Sequence, residues 1–195
     1  MCSRKVWLHN INYESLSDHD CIMVIVSTHG SKGGVLLAKD KEFYTKDVWG
    51  PFRDCDKLKH IPKVFIFQAC RGKKIERRIS QEKYMSLEEE ICAVPVLPHQ
   101  KEFLLVHSTI PDYCSKRDFQ NGTIFIQAFC NQLEAFFKRE GKVELVPLLT
   151  EVNNQVTVSS EERGESQTST FTSFLHQPLF LKNEVEKEKQ HVSKK

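Results

Sequence analysis

Three short apolar runs, each soon ended by polar residues and a glycine or proline, constrain this chain more than any other feature. CIMVIVST (21–28) stops at His29 and Gly30, KVFIF (63–67) stops at Gln68 and reaches Gly72, and FLLVHST (103–109) is closed by Pro111. Runs of this length, rich in β-branched and aromatic residues, read as strands buried on both faces of a parallel sheet. Helical patterns accompany them. Phe125, Phe129, Leu133 and Phe136 fall on one stripe of a helix from about Thr123 to Arg139, and Leu145, Leu148, Leu149, Val152 and Val156 form a second stripe. A shorter helix lies within Asp47–Leu58, interrupted near its start by Gly50 and Pro51. VLLAKDKEFYT predicts a small hairpin turning near Lys39–Lys41, and PLFLK (178–182) a last strand. Strands alternating with helices imply an α/β domain with a largely parallel sheet.

The connections between these elements differ in character. Residues 73–100 are strongly charged and carry two prolines near their end, so they read as an exposed link between two halves of one domain. SSEERGESQTST (159–170) reads as a polar loop and residues 183–195 as a solvated tail. A chain of 195 residues with 39% hydrophobic and 28% charged residues has the composition of an ordinary soluble globular protein with one sizeable core or two small ones. A net charge of +2 gives no reason to expect nucleic acid or an anionic membrane as a partner. No apolar stretch nears the roughly 20 residues that span a bilayer, and MCSRKVWLHN holds no apolar signal core, so a cytoplasmic location is expected.

Seven cysteines (Cys2, Cys21, Cys55, Cys70, Cys92, Cys114 and Cys130) are dispersed and form no C-x-x-C pair. In a chain without a secretion signal this argues against both a disulfide framework and a structural zinc site, and leaves reduced thiols, one of which can serve as a nucleophile. A free cysteine is ordinarily a small buried hydrophobe, and a lone histidine after a strand is ordinarily structural. Cys70 and His29 make a different case, because each stands beside a strand's carboxyl end with a glycine close by. In parallel sheets the active site lies at those ends. Gly30, Ser31, Lys32, Gly33 and Gly34 lack the spacing of a phosphate loop.

Gln68-Ala69-Cys70-Arg71-Gly72 resembles the caspase pentapeptide, and Thr28-His29-Gly30 resembles that family's Ser-His-Gly. The similarity continues in Val106–Pro111, which resembles the strand opening the small subunit, in Ser115-Lys116-Arg117, which aligns with the groove segment Ser-Trp-Arg, and in Asn121–Gln127, which resembles a helix start. The resemblance implies a caspase-like three-layer sandwich, a mostly parallel sheet with helices on both faces, lacking the family's N-terminal strands. It divides the chain into a large-subunit remnant (1–72), an intersubunit linker (73–100), a small subunit (101–182) and a tail (183–195). It implies a cysteine endopeptidase cleaving after aspartate in apoptotic proteolysis, with Cys70 as nucleophile, His29 as acid–base, and the backbone N–H groups of Gly30 and Cys70 as oxyanion donors. Arg117, Gln68 and Ser115 are the implied substrate-binding residues, Arg117 offering the planar fork a carboxylate accepts. Arg71 receives no catalytic role. No metal or organic cofactor is implied. The implied partners are protein substrates carrying aspartate, a second copy of the chain or another caspase in a dimer, and inhibitor-of-apoptosis proteins.

The sequence departs from the family in three places. Only about twenty residues precede the strand leading to His29, whereas the family's large subunit opens with a strand–helix–strand unit whose first loop supplies a second pocket arginine; Arg4 does not align with it. An open sheet edge is the expected consequence. Residues 73–111 contain no aspartate, so the usual activating cut is absent, leaving cleavage among Glu88–Glu90 or activity as an uncut chain. Lys116 replaces the groove tryptophan and Cys114 the aromatic residue before the serine, which makes the pocket for the residue before the aspartate less apolar. Two alternatives stand beside the protease reading: a weak or inactive relative regulating a full-length caspase by dimerisation, and a truncated product of an active enzyme.

Overall fold

The computed structural model describes residues 13–74, 101–118 and 122–182. A short helix α1 (Tyr13–Leu16) precedes β1 (Ile22–Ser27), the first of the three apolar runs; the others form β5 (Lys63–Gln68) and β6 (Phe103–His107). These strands lie parallel in the order β1-β5-β6, and β10 (Thr170–Ser173) closes the sheet antiparallel to β6. Period-two alternation sends successive side chains of β5 and β6 to opposite faces. Val64, Ile66, Leu104 and Val106 face one side, Phe65, Phe67, Phe103 and Leu105 the other, and all are buried.

Each face is covered by helices whose apolar stripes match it. On the first lie α3 (Ile124–Glu140) and α4 (Leu145–Glu161), through Phe125, Phe129 and Phe136 of one and Leu145, Leu148, Leu149, Val152 and Val156 of the other. On the second lies α2 (Thr45–Arg53), where Trp49 meets Phe103 and Phe52 meets Phe65 edge-to-face at centroid distances of 6.5 and 5.3 Å. Asp47 accepts the Tyr44 backbone N–H at 2.8 Å to start α2, and Pro51, which has no N–H to continue the ladder, precedes its end by two residues. The layers are helix, sheet, helix, as a caspase-like α/β fold requires.

The smaller pieces are two-stranded or three-stranded. β3 (Val35–Leu37) and β4 (Glu42–Tyr44) form the expected hairpin, and β2 (His29–Ser31) joins it antiparallel. β7 (Arg117–Asp118) pairs with β8 (Gly122–Thr123), and β9 (Lys142–Glu144) with β11 (Phe180–Lys182). At the entry to β5, Lys63 is 1% exposed. Its ammonium donates to the Leu58 and Ile61 carbonyls at 2.5 and 2.6 Å and stands 4.9 Å from the centre of the Phe103 ring. Burial pushes its pKa down to about 8, with Glu102 and Cys55 acting in the opposite direction.

Four expectations change. β1 is not buried on both faces: among the described residues it pairs only with β5, and Ile25 is 54% exposed. The segment 159–170 is not all loop, since α4 runs to Glu161 and Thr170 begins β10. PLFLK contributes only Phe180–Lys182 to a strand, and that strand pairs with β9 outside the central sheet. The start of the 73–100 connection is tied down, because Lys74 forms a parallel bridge with Tyr113. Residues 75–100 and the tail at 183–195 lie outside the described residues.

Phe125 is completely buried between the helices and the sheet. Phe125→Ala is expected to lower unfolding free energy by about 3–5 kcal/mol, whereas Val158→Ala, on the exposed side of α4, changes it by less than ~0.5 kcal/mol. Urea denaturation followed by circular dichroism measures both.

Candidate active site

The strand register brings three chain segments out of the sheet side by side. Ser27 stands opposite Gln68 and Phe67 opposite His107. The ladder continues one step further on each side: Thr28 N–H donates to the Gln68 carbonyl and Ser108 N–H to the Phe67 carbonyl, both at 3.0 Å. Residues 28–30, 69–72 and 108–109 therefore leave the same edge. The Thr28 hydroxyl donates to the Leu37 carbonyl at 2.5 Å, and His29 pairs with Leu37 in β2–β3 with its imidazole exposed to solvent. Gly30 lies so close to the next segment that a Cβ there would sit 2.3 Å from the Cys70 carbonyl oxygen and 3.1 Å from Ala69 Cβ. Only glycine permits this approach. His29 and Cys70 are thus brought to one end of the sheet.

Beyond Cys70 the chain is zipped to residues 112–116. Arg71 N–H donates to Tyr113 O (2.9 Å), Asp112 N–H to Arg71 O (3.2 Å), Lys74 N–H to Asp112 O (3.0 Å) and Cys114 N–H to Lys74 O (2.8 Å). Gly72 makes this possible, since a Cβ at that position would fall 2.1 Å from the Asp112 carbonyl oxygen. The half-buried Cys70 sulfur accepts the Ser115 N–H at 3.3 Å. Gln68 is buried, its side-chain N–H donating to the Ser115 hydroxyl at 2.8 Å while its Oε1 has no partner among the described residues. Gln68, Cys70 and Ser115 therefore form one connected group. Arg117 stands at the far end of this stretch on β7, its side chain exposed and its backbone paired with Thr123.

A polar scaffold that the sequence does not announce lies behind this edge. The buried Ser108 hydroxyl bonds both the N–H and the carbonyl of Ala69 at 3.3 Å. Gln167, fully buried within a segment read as loop, donates from its side chain to Ser108 O (2.7 Å) and accepts Lys116 N–H (2.7 Å), while its own N–H donates to the Ser160 hydroxyl (2.9 Å). Lys116 pairs with Glu165 at 2.9 Å. Arg71 donates to the Thr109 carbonyl at 3.4 Å; burial lowers its pKa and Asp112 opposes that shift. His107 stacks on Phe67 at a centroid distance of 5.2 Å, and burial, then the Arg71 charge, push its pKa down to about 3. The only signal for Gln167 in the sequence was its type, because an amide in a polar run looks solvated. Among the described residues no group of three or more histidine, cysteine or acidic side chains is arranged to hold a metal ion, and no helix is long and apolar enough to cross a membrane.

Comparison with known proteins bears on the family and the fold. The family model "Peptidase_C14: Caspase domain" matches residues 9–180. The chain is 32% identical over 156 residues to caspase-3 of Xenopus laevis, covering 79% of this chain and 53% of that protein. It is 34% identical over 148 residues to caspase-1 of Drosophila melanogaster, covering 74% of this chain and 45% of that one. The chain thus spans about half the length of the curated relatives it matches. The crystal structure of caspase-1 from Spodoptera frugiperda superposes with a TM-score of 0.65 at 28% identity, over 87% of this chain and 71% of that structure.

The half-buried His107 sets an acid limit on the fold. Its native pKa lies below the ordinary histidine value, so between about pH 6.5 and 3 the unfolded chain binds a proton the native chain refuses, and stability falls as pH falls. From pH 7 to 5 the wild type is expected to lose roughly 1 kcal/mol per pH unit below 6.5 relative to His107→Phe. Urea midpoints of the two proteins at pH 7 and pH 5 measure the difference.

Proposed function

This chain belongs to the caspase family, and from that membership we propose that it is a cysteine endopeptidase cleaving after aspartate, with Cys70 as nucleophile and His29 as acid–base. The observation that carries the reading is the contact of Gly30 with the Cys70 carbonyl. It sets the segment bearing the histidine against the segment bearing the thiol at the carboxyl edge of a parallel sheet. In the proposed reaction the Cys70 thiol gives its proton to His29 and the sulfur attacks the substrate carbonyl carbon. The oxyanion is held by the backbone N–H groups of Gly30 and Cys70. His29 then returns the proton to the leaving amine, and water hydrolyses the thioester.

Arg117, Gln68 and Ser115 form the proposed aspartate pocket. An exposed guanidinium, with its planar fork, suits a carboxylate. The Ser115 hydroxyl, accepting from Gln68, retains its own proton to donate to the same group. The division at the charged connection, with a large-subunit part and a small-subunit part on either side of it, the cytoplasmic location and the part in apoptotic proteolysis belong to this proposal. So do dimer formation with a second copy or another caspase and binding by inhibitor-of-apoptosis proteins. A second reading, a weak or inactive relative that acts by pairing with a full-length caspase, is favoured by one feature. Among the described residues the proposed pocket contains a single guanidinium for a carboxylate that must leave water.

Turnover of a fluorogenic peptide with aspartate before the scissile bond separates the two readings. Cys70→Ala is expected to abolish it and Cys130→Ala, on the exposed side of α3, to leave it in place; turnover that survives in Cys70→Ala removes the nucleophile assignment. Arg117→Lys keeps the charge but loses the fork, so kcat/KM on the aspartyl peptide should fall roughly ten- to a hundred-fold, equivalent to about 1.4–2.7 kcal/mol. An unchanged value would put Arg117 outside the pocket.

A further inference from the structure

We propose that Cys114 is a resolving thiol for Cys70, so that hydroperoxides convert the pair into a reversible disulfide that withdraws the Cys70 sulfur from its site. The four backbone hydrogen bonds between residues 71–74 and 112–114 hold the two stretches in fixed alignment. The Ser115 N–H donates to the Cys70 sulfur at 3.3 Å, which places the residue immediately before it at the same level. The Cys114 thiol donates to the carbonyl of Gly72, two residues beyond Cys70, at 3.4 Å. Both cysteines are half-buried rather than sealed, so a small peroxide can reach them. Among the described residues the remaining thiols, Cys21, Cys55 and Cys130, lie at the start of β1, after α2 and on α3, away from this edge. Closing the bond brings the two sulfurs to about 2.05 Å.

The chemistry orders the two thiols. Burial, and then the neighbouring Cys70, push the Cys114 thiol up, with Lys116 acting the other way. Because the thiolate is the form a peroxide oxidises, holding Cys114 protonated slows its direct oxidation and suits it to the second step. In the first step the Cys70 thiolate takes one oxygen from hydrogen peroxide, forming Cys70–SOH and releasing hydroxide. In the second, the Cys114 sulfur attacks the Cys70 sulfur; the S–O bond breaks, hydroxide leaves and takes up the Cys114 proton as water. Overall two thiols and one peroxide give one disulfide and two waters, and two equivalents of a small thiol reverse it. Without Cys114, Cys70–SOH proceeds to the sulfinic acid, from which small thiols do not recover it. The bond itself requires no turnover; only its effect on activity rests on the protease reading above.

The 195-residue chain is treated with hydrogen peroxide, alkylated, digested with trypsin without reduction and mapped by mass spectrometry, with Cys114→Ser alongside. The expected product is the cross-linked pair of peptides 64–71 and 102–116, abolished by dithiothreitol, together with full recovery of alkylatable Cys70. Cys114→Ser is expected to trap dimedone at Cys70 and then to accumulate sulfinic acid that dithiothreitol does not reverse. Circular dichroism melts of the untreated proteins show that both are folded. If wild-type Cys70 instead reaches sulfinic acid as fast as in Cys114→Ser, with no cross-linked pair, the proposal is overturned. If the pair forms but the reduced chain never cleaves an aspartyl peptide, the thiol switch stands and the protease reading fails.

Discussion

The parallel register of β1, β5 and β6 is the constraint on which the rest of the site depends. Ser27 opposite Gln68 and Phe67 opposite His107 end the three strands at one level, so the residues just beyond them emerge together. A slip of one residue would turn every side chain of a strand to the other face. In β5 that slip would exchange Val64 and Ile66 with Phe65 and Phe67. The aromatic cluster under α2 would then lose Phe65 to the opposite layer. Core packing on both faces therefore holds the register, and the register in turn delivers His29 and Cys70 to a common edge.

The segments beyond the strand ends are held by polar groups rather than by packing. Buried hydroxyls and amides are costly unless bonded, and here most are used as ties. Ser108 clamps Ala69, and Gln167 joins Ser108, Lys116 and Ser160 across three elements. The loop carrying Ser115 and Lys116 is thereby fixed from behind, which leaves its front to Cys70 and Gln68. Two glycines, at 30 and 72, supply the close backbone approaches that this arrangement needs. Among the described residues the buried side-chain exceptions are Gln68 Oε1 and Thr109 Oγ1, both beside this edge.

The parts legible in the sequence are those with a strong period. The stripes of α3 and α4 predicted which of their faces would be buried, and the apolar runs located β5 and β6 to within two residues. β1 was equally apolar, but an apolar run does not reveal whether a neighbour covers it, and Ile25 proves exposed. β10 was illegible for a physical reason: its threonines face inward and Phe171 faces out, the reverse of the usual alternation, because its place is set by pairing with β6. The placement of Cys70 and His29 at one edge was legible from their strand ends and flanking glycines. The place of Cys114 beside the segment bearing Cys70 was not, since it arises only when two stretches distant in the chain are zipped together, and the buried role of Gln167 was hidden by the polar residues around it.

Lys63 carries one more consequence. An amine with a pKa near 8 is substantially neutral under mildly alkaline conditions, a state ordinary lysines reach only above about pH 10. Neutral amines are the species that acylating reagents capture, yet this one is closed off by the turn at 58–63 and the Phe103 ring. Its chemistry is primed but its access is shut. The rate at which Lys63 is acylated is therefore a clock for transient opening where β5 enters the sheet, reporting local breathing of the central layer without any introduced label.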